Sequence, residues 1–288
     1  MVFMNILLAA LLCALCGPGD DYDALLADAA AKDLQREEAM RSAHTALDDG
    51  DDERAVALAR RARMLAAEIA GDRERARVCL AVLVPQLAVT LDDDEFDVRE
   101  QASARLRKLG EAALPGLLRI RRAPLTPETR YRIDELLGGI TVDGEGRVHQ
   151  WAVAAMASSE YTPNDWAAKQ AVGPPDSSEG DARTAWAAKD ADGGIEWLQL
   201  RYALSLRISR IRIRENLTRG GVVAVDVVGP DGTRRRAWEG TDAGDAWLEL
   251  DLKGVEGREV IVVLDTRKHA GWEEIDAVEL IGDPAPEK

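Results

Sequence analysis

All seven tryptophans of this 288-residue chain lie at or after Trp151, and this one-sided distribution strongly constrains the fold. Before Trp151 the sequence is rich in Ala, Leu, Arg, Asp and Glu, which form or cap helices. After it, Val, Ile, Trp, Gly and Thr become frequent, as strands and turns require. The sequence therefore predicts an α-helical N-terminal half and a β C-terminal half rather than one mixed core. A length of 288 residues agrees with two domains of roughly 150 residues each.

Charge and motif content exclude several classes of function. A net charge of −15 argues against binding to nucleic-acid phosphates or to an anionic membrane. Three cysteines allow at most one disulfide. The sequence contains no G-x-S-x-G, H-E-x-x-H or P-loop motif. Glu273 and Glu274 are adjacent on a predicted strand and point to opposite faces, so they cannot flank one glycosidic bond. We therefore expect a protein that is not an enzyme.

An apolar run from Ile6 to Cys16 marks the N-terminus. It is too short to span a bilayer, which takes about 20 residues, so no transmembrane span is predicted. The run fits the hydrophobic region of a signal peptide, which we assign to residues 1–16. The protein is then expected in the periplasm, at the cell surface or outside the cell. A lipid anchor on Cys16 and a short buried helix are the alternatives.

Residues 21–140 show apolar residues at helical spacing and are expected to form a domain of helical hairpins. Asp52 is predicted to cap the second helix, and Gly71-Asp72 to interrupt the pattern before another helix begins at Val78. Gly110 is predicted to end a later helix. The small-residue pattern after Gly50 is weakly similar to a tetratricopeptide hairpin.

The segment from Leu91 to Ile140 resembles a HEAT-like repeat of the kind found in exported bacterial proteins. The match lies in the acidic run before Phe96, the helical face that includes Leu106, and the Leu-Pro-Gly-Leu-Leu sequence that follows Gly110. Repeats of this kind stack on one another and present surfaces to other proteins. The resemblance therefore implies that a protein partner could bind the helical half.

Beyond a turn-rich joint at Asp143–Gly146, the sequence predicts six strands and an antiparallel sandwich or jelly roll over residues 148–282, with a tail at 283–288. Ile211 and Ile213 alternate with arginines, as expected for a strand with one buried and one wet face. The predicted strands are Ile195–Tyr202, Ser209–Arg214, Val222–Val228, Trp247–Leu252, Arg258–Leu264 and Ile275–Ile281.

Three separated motifs in this half resemble the galactose-binding-like, discoidin-type jelly roll. The first runs from Trp166 to Asp176 and leads to Thr184-Ala-Trp186, the second is Glu196-Trp-Leu-Gln-Leu200, and the third is the closing Trp-Glu-Glu-Ile-Asp-Ala-Val-Glu-Leu from Trp272. The resemblance implies a β-sandwich whose loops hold ligands at one end, often as a carbohydrate-binding or protein-adhesion module. It does not imply catalysis. Trp186 and Trp197 are assigned to the core.

The same resemblance implies a structural calcium ion, which takes six to eight oxygen ligands. Asp176, Asp181 and Thr184 match the loop part of that pattern. Asp276 is the candidate closing carboxylate, with Glu274 and Glu279 as alternatives. The competing interpretation is that Asp176 and Asp181 only cap turns.

The candidate ligand loops are Glu215–Gly220 and Arg267–Trp272, with Tyr161–Trp166 as a third candidate. A sugar site needs an aromatic face and polar groups that bond hydroxyls. Trp272 supplies the ring, and the polar groups are those of Glu215, Asn216, Arg267 and His269. The slightly favoured alternative makes Trp272 a buried brace and Glu215–Arg267 an internal ion pair. We therefore expect a non-catalytic module that binds a glycan or a cell-surface protein. The alternative is a scaffold that uses its helices.

Overall fold

The computed structural model describes residues 22–177 and 179–285. The predicted signal peptide at residues 1–16 lies outside the described residues. The chain divides into two compact units, one ending at Thr129 and the other beginning at Arg130. Within the described ranges, no helix is both long enough and apolar enough to cross a membrane.

The first unit is helical, as predicted. A 3₁₀ turn at Gly110–Ala113 separates the third helix from the fourth, and the fifth helix crosses the boundary into the second unit. The helices are α1 Tyr22–Asp48, α2 Asp52–Thr90, α3 Phe96–Leu109, α4 Leu114–Arg121 and α5 Pro127–Leu137.

The second helix is longer than the sequence predicted, because it continues through Gly71 and Pro85. The predicted interruption at Gly71-Asp72 was therefore wrong. A glycine costs a helix only about 1 kcal/mol, and α2 buries side chains before and after Gly71, such as Ile69 and Ala76. Asp72 is itself buried and accepts a hydrogen bond from Lys32 Nζ on α1 at 2.7 Å.

Two helix ends test the capping predictions. The N-cap of α2 is Asp51, whose side chain accepts from the backbone N–H of Arg54 at 3.0 Å, so the assignment to Asp52 was wrong by one residue. Gly110 caps the end of α3 with φ of 56°, as predicted. A positive φ favours glycine because it has no Cβ.

The second unit is an antiparallel β-sandwich, which confirms the predicted fold class of helices followed by a β-sandwich. Its strands follow the order β1-β2-β9-β5-β8-β6-β7, while β3 also pairs with β5 and β4 with β9. The strands are β1 Thr141–Val142, β2 Val148–Trp151, β3 Ala154–Ala157, β4 Trp186–Ala187, β5 Ile195–Leu217, β6 Val222–Val228, β7 Arg234–Glu239, β8 Trp247–Asp265 and β9 Glu274–Pro284.

Strands β5 and β8 are each continuous where the sequence predicted two separate strands. The register of β5 shifts between Arg201 and Leu206 and again between Ile208 and Arg210, so the chain bends without leaving the sheet. Its first part pairs with β3 and β8, and its last part pairs with β8 and β9. The same long strand therefore supplies core residues along its whole length.

The core of this unit forms from the inward faces of these strands. Trp186 is fully buried, as predicted, whereas Trp197 is only half-buried. Tyr202 is also fully buried, and its hydroxyl donates to the Val278 carbonyl at 3.1 Å. Burying a phenol requires such a partner.

The predicted joint between the halves is an ordered hairpin. Thr141 and Val142 pair with His149 and Val148, so the turn belongs to the β unit. Asp143 Oδ1 holds the turn by accepting from the backbone N–H of Arg147 at 2.9 Å. That the two halves fold separately stays a prediction.

Candidate functional site

A pocket of about 160 Å³ opens at one end of the β unit. It is smaller than the roughly 300–1,000 Å³ of drug-sized sites, so it suits a single ring or a comparable group. Three aromatic and two acidic residues dominate its wall. The lining residues are Tyr161, Trp166, Asp181, Ala187, Leu217, Trp272 and Glu274.

Strand pairing builds the floor of the pocket. Glu274, the first residue of β9, pairs with Ala187 of β4 and with Leu217 of β5. These three residues are thus cross-strand neighbours in adjacent strands. The register of β5 shifts on either side of Glu215, directly before Leu217. Such bulges re-aim side chains at the rims of sheets and next to functional sites.

Three aromatic rings form the walls. The ring of Tyr161 lies 5.3 Å from that of Trp166 at an interplanar angle of 87°, and 5.4 Å from that of Trp272 at 75°. Both contacts have the edge-to-face geometry that aromatic pairs prefer. The backbone N–H of Tyr161 donates to the Ala187 carbonyl at 3.0 Å, which anchors this wall to the floor.

Strained backbone borders the pocket on two sides. Trp166 has φ of 53° and Thr218, next to Leu217, has φ of 44°; in the described part of the chain these are the non-glycine residues with positive φ. A bulky side chain in this region costs of order 1–3 kcal/mol. Trp166 is held there because its N–H donates to the Arg183 carbonyl and its carbonyl accepts from Ala187 N–H. Strain of this kind concentrates at functional sites.

The Glu274 carboxylate lies beneath the aromatic walls and is buried. Its Oε1 accepts from the Trp166 indole N–H at 3.0 Å. Its Oε2 accepts from Ala182 N–H at 3.0 Å and from the Asn216 side-chain amide at 2.9 Å. Burial nevertheless raises the pKa of Glu274 to about 7, with a further contribution from the hydrogen bond to Asp181.

The exposure of Trp272 distinguishes its two interpretations. Its side chain is 39% exposed, and that of Tyr161 is 46% exposed. Trp272 is therefore not the buried brace that the sequence slightly favoured. Gly271, with φ of 106°, turns the chain so that the indole lies against Tyr161 at the pocket instead of in the core.

Glu215 and Asn216, which the sequence placed in the ligand site, are both almost fully buried. Glu215 accepts from Gly220 N–H at 3.3 Å. Burial and a hydrogen bond with Asp242 raise the pKa of Glu215 to about 9. In this arrangement neither side chain is open to a ligand, and Asn216 instead supports the Glu274 carboxylate.

Arg267 and His269, the other predicted ligand residues, are exposed and lie outside the pocket lining. Arg267 pairs with Asp265, with Nε 2.9 Å from Oδ1. The alternative ion pair between Glu215 and Arg267 was therefore wrong. His269 packs near Gly220, where an added Cβ would lie 2.8 Å from its Nε2.

The residues proposed for calcium occupy two different places. Asp181 lines the pocket, where its Oδ1 accepts from the Trp166 indole N–H at 3.1 Å. Asp276 instead faces the backbone N–H groups of Asp176 and Ser177, at 3.5 and 3.4 Å. Thr184 is exposed. Across the described ranges, no group of three or more Asp, Glu, His or Cys side chains is arranged to hold a metal ion. The side chains present do not form a ready-made calcium cage, and calcium binding stays a prediction.

Six of the seven lining residues fall in the candidate ligand loops or among the calcium candidates that the sequence indicated, and Trp272 lines the pocket, as the ligand role expected of it requires. Tyr161 and Trp166 belonged to the optional third loop, Asp181 to the calcium set and Glu274 to its alternatives. Leu217 lies in the candidate loop Glu215–Gly220 but was given no role of its own, and Ala187 was missed. Nothing in the sequence shows that both residues pair with the same residue of β9. Ala187 directly follows Trp186, so a strand predicted at that tryptophan would have included Ala187.

Several solved structures are similar to part of the chain. Chitosan-binding module 1 of a chitosanase/glucanase from Paenibacillus sp. IK-5 is 16% identical, covers 45% of this chain and 94% of its own, and has a TM-score of 0.38. The family 32 carbohydrate-binding module of NanJ from C. perfringens, in complex with galactose, is 16% identical and covers 46% of this chain and 98% of its own, with a TM-score of 0.36. A fucolectin from Morone saxatilis serum is 18% identical and covers 47% and 50%, with a TM-score of 0.38.

A comparison with curated protein sequences found no match. A family model does match, and it covers residues 141–287, from the first strand of the β unit to the penultimate residue of the chain. This is just over half of the sequence and contains every residue of the pocket. The chain therefore belongs to the family described as Pappalysin-1, SD scarf domain, C-terminal.

Proposed function

We propose that the β unit is a non-catalytic carbohydrate-binding module and that the pocket lined by Tyr161, Trp166 and Trp272 is its ligand site. The observation that carries the proposal is the presence of three aromatic rings and two carboxyl groups around one partly open pocket. Aromatic faces pack on the apolar side of a sugar ring, while carboxylates accept hydrogen bonds from its hydroxyls.

The geometry of the two acids supports binding over catalysis. Asp181 and Glu274 share the Trp166 indole N–H as a donor, at 3.1 Å from Asp181 Oδ1 and 3.0 Å from Glu274 Oε1. Glycosidase carboxyls stand at least about 5 Å apart, because they act from two sides of a scissile bond. Two carboxyls that accept from a single N–H donor do not have the arrangement of such a catalytic pair.

Binding and stability must be measured together to test this proposal. We would screen the full chain against a glycan array and follow hits by titration. Trp272→Ala is the informative variant, because its side chain is partly exposed and its loss removes a pocket wall. Trp238→Ala, a half-buried tryptophan outside the pocket lining, is the matched control. Loss of glycan binding in the first variant alone supports the site, while equal loss in both contradicts it.

A scaffold function is the second candidate, and exposed apolar side chains on the helices favour it. Leu34, Met64 and Val89 are each at least 66% exposed. An apolar groove along α1 also includes Leu26 and Ala30. Replacing Leu34 and Met64 with Ser should abolish capture of a protein partner while glycan binding persists, if the helices supply the interface.

We further propose that the chain is exported by the signal peptide at residues 1–16, that its second half is a discoidin-type jelly roll, and that its helical half is HEAT-like. The apolar run from Ile6 to Cys16 supports the first of these. Sequencing the N-terminus of the mature protein tests it directly. A mature chain that begins at Gly17 is expected, and retention of Met1 would contradict cleavage.

A further inference from the structure

The pocket at Trp166 has a one-sided charge. Its two acidic lining groups are the carboxyls of Asp181 and Glu274, and none of the described residues that line it is basic. Asp181 is exposed at the mouth and Glu274 is buried below it. A ligand that enters therefore meets acceptors first, and a positive charge on that ligand would be neutralised there.

The aromatic walls have the same preference. The face of an aromatic ring carries partial negative charge and attracts a cation within about 6 Å of its centroid. The guanidinium of Arg183 lies 5.8 Å from the centre of the Trp166 ring, so a cation of the protein itself already interacts with that ring. Trp166 and Trp272 stand nearly perpendicular to Tyr161, at 87° and 75°. Because the rings stand at right angles, the pocket is bordered both by ring faces, which carry partial negative charge, and by ring edges, which carry partial positive charge.

We infer that the pocket selects a ligand that carries a protonated primary amine, as the ring of a hexosamine does. This inference rests on the proposed carbohydrate-binding function and adds the charge of the sugar to it. The ammonium would lie at Asp181 with its sugar ring against Trp272. The net charge of −15 would also raise the local concentration of such a cation.

A primary amine fits better than a quaternary one because of hydrogen bonding. A primary ammonium has three N–H groups that can donate hydrogen bonds to the Asp181 carboxylate. A trimethylammonium group has no N–H to donate. The rings alone would serve either cation, so the exposed carboxylate of Asp181 is the feature that discriminates between them.

The experiment compares two sugars that differ at one nitrogen. The full-length chain is titrated with glucosamine and with N-acetylglucosamine at pH 6, and binding is followed by NMR shifts. Acetylation removes the positive charge while the ring remains. Because hydrogen bonds to charged groups are stronger than those between neutral groups, we expect glucosamine to bind at least about tenfold more tightly than N-acetylglucosamine. Raising the salt concentration should shrink that ratio.

Matched variants separate the pocket from the general charge of the protein. Asp181→Asn should bring the ratio of the two affinities close to one, because it removes the carboxylate that distinguishes the two sugars, whatever it costs in binding that is common to both. Glu145→Gln changes the net charge by the same amount at a side chain that is 74% exposed and is not among the residues that line the pocket. The Glu145→Gln control should keep the full preference for glucosamine. If both variants lose that preference, the net charge of the protein causes it, and the inference is overturned.

The remaining outcomes are distinguishable. Equal affinity for the two sugars would overturn the inference and leave carbohydrate binding intact. Choline binding as tightly as glucosamine would overturn the assignment to a primary amine. Absence of binding to every sugar tested would overturn the proposed function itself, and the inference with it.

Discussion

The indole N–H of Trp166 donates to Glu274 Oε1 at 3.0 Å, across more than a hundred residues of sequence. This bond ties a strained loop residue to the first residue of the last strand. It satisfies a carboxylate that is otherwise covered by aromatic rings. Trp166 is therefore both a wall of the pocket and a structural partner of its buried acid.

Removing that donor gives the first prediction. Trp166→Phe keeps an aromatic ring but leaves Glu274 Oε1 without its indole partner. Losing a hydrogen bond to a buried charged group costs about 1–3 kcal/mol, so we expect the free energy of unfolding to fall by that amount. Urea denaturation measures it. A variant as stable as the wild type would show that the bond contributes nothing.

The pH dependence of stability gives the second prediction. The pKa of Glu274 is raised from 4.5 to about 7, mainly by burial. Between these values the folded state binds more protons than the unfolded state, so stability is fully present below pH 4.5 and is lost as the pH rises through 7. Burial also raises the pKa of Glu273 to about 7 and that of Glu215 to about 9. The protein should therefore unfold at a lower temperature at pH 8 than at pH 5.5.

Replacing each carboxyl with its neutral amide shows which residue causes the pH dependence of stability. Glu274→Gln should flatten the decline between pH 5.5 and 8, because it removes one of the titrating groups. Glu215→Gln should flatten the same decline, and its effect should extend above pH 8, because the pKa of Glu215 is raised to about 9. Asp231→Asn is the control, since that carboxyl has a lowered pKa and is already ionised throughout the range. If all three variants keep the wild-type pH profile, the buried carboxyls are not its source.

The third prediction concerns Trp272 and Trp186. Trp186 is fully buried, so Trp186→Ala should cost about 3–5 kcal/mol, as large truncations in cores do. Trp272 is 39% exposed, and its truncation should cost clearly less. Thermal unfolding of both variants tests this order. A Trp272→Ala protein as unstable as Trp186→Ala would restore the brace interpretation.

The fourth prediction concerns the exposed loop. Arg267→Ala removes an exposed ion pair with Asp265, which should change stability by less than about 1 kcal/mol. If Arg267 and His269 bind ligand hydroxyls, as the sequence predicted, each alanine variant should weaken glycan binding severalfold. Unchanged affinity would confine the site to the aromatic pocket.

The fifth prediction concerns calcium. A calcium ion held by Asp176, Asp181, Thr184 and Asp276 should raise the melting temperature by mass action, and a chelator should lower it. Asp176→Asn combined with Asp181→Asn should abolish that difference. A melting temperature that neither calcium nor chelator changes would reject the hypothesis.

Residues close together in the sequence largely determined the course of the chain. The tryptophans after residue 151 marked the β half, and the alternation around Ile211 and Ile213 placed a strand correctly. Gly110 ended a helix because its positive φ is a local requirement. These features follow from periodicity and backbone sterics, which need no knowledge of distant residues.

Tertiary packing decided what the sequence could not. Helix α2 runs through Gly71 because packing outweighs a local propensity of about 1 kcal/mol. The pocket exists because the register of three strands brings Ala187, Leu217 and Glu274 together. The side of the sheet on which each of these residues lies, and the burial that raises the pKa of Glu274, depend on pairings between segments far apart in the chain. Such pairings leave no local signal, so only the folded structure could show that Trp272 faces a pocket and Glu215 does not.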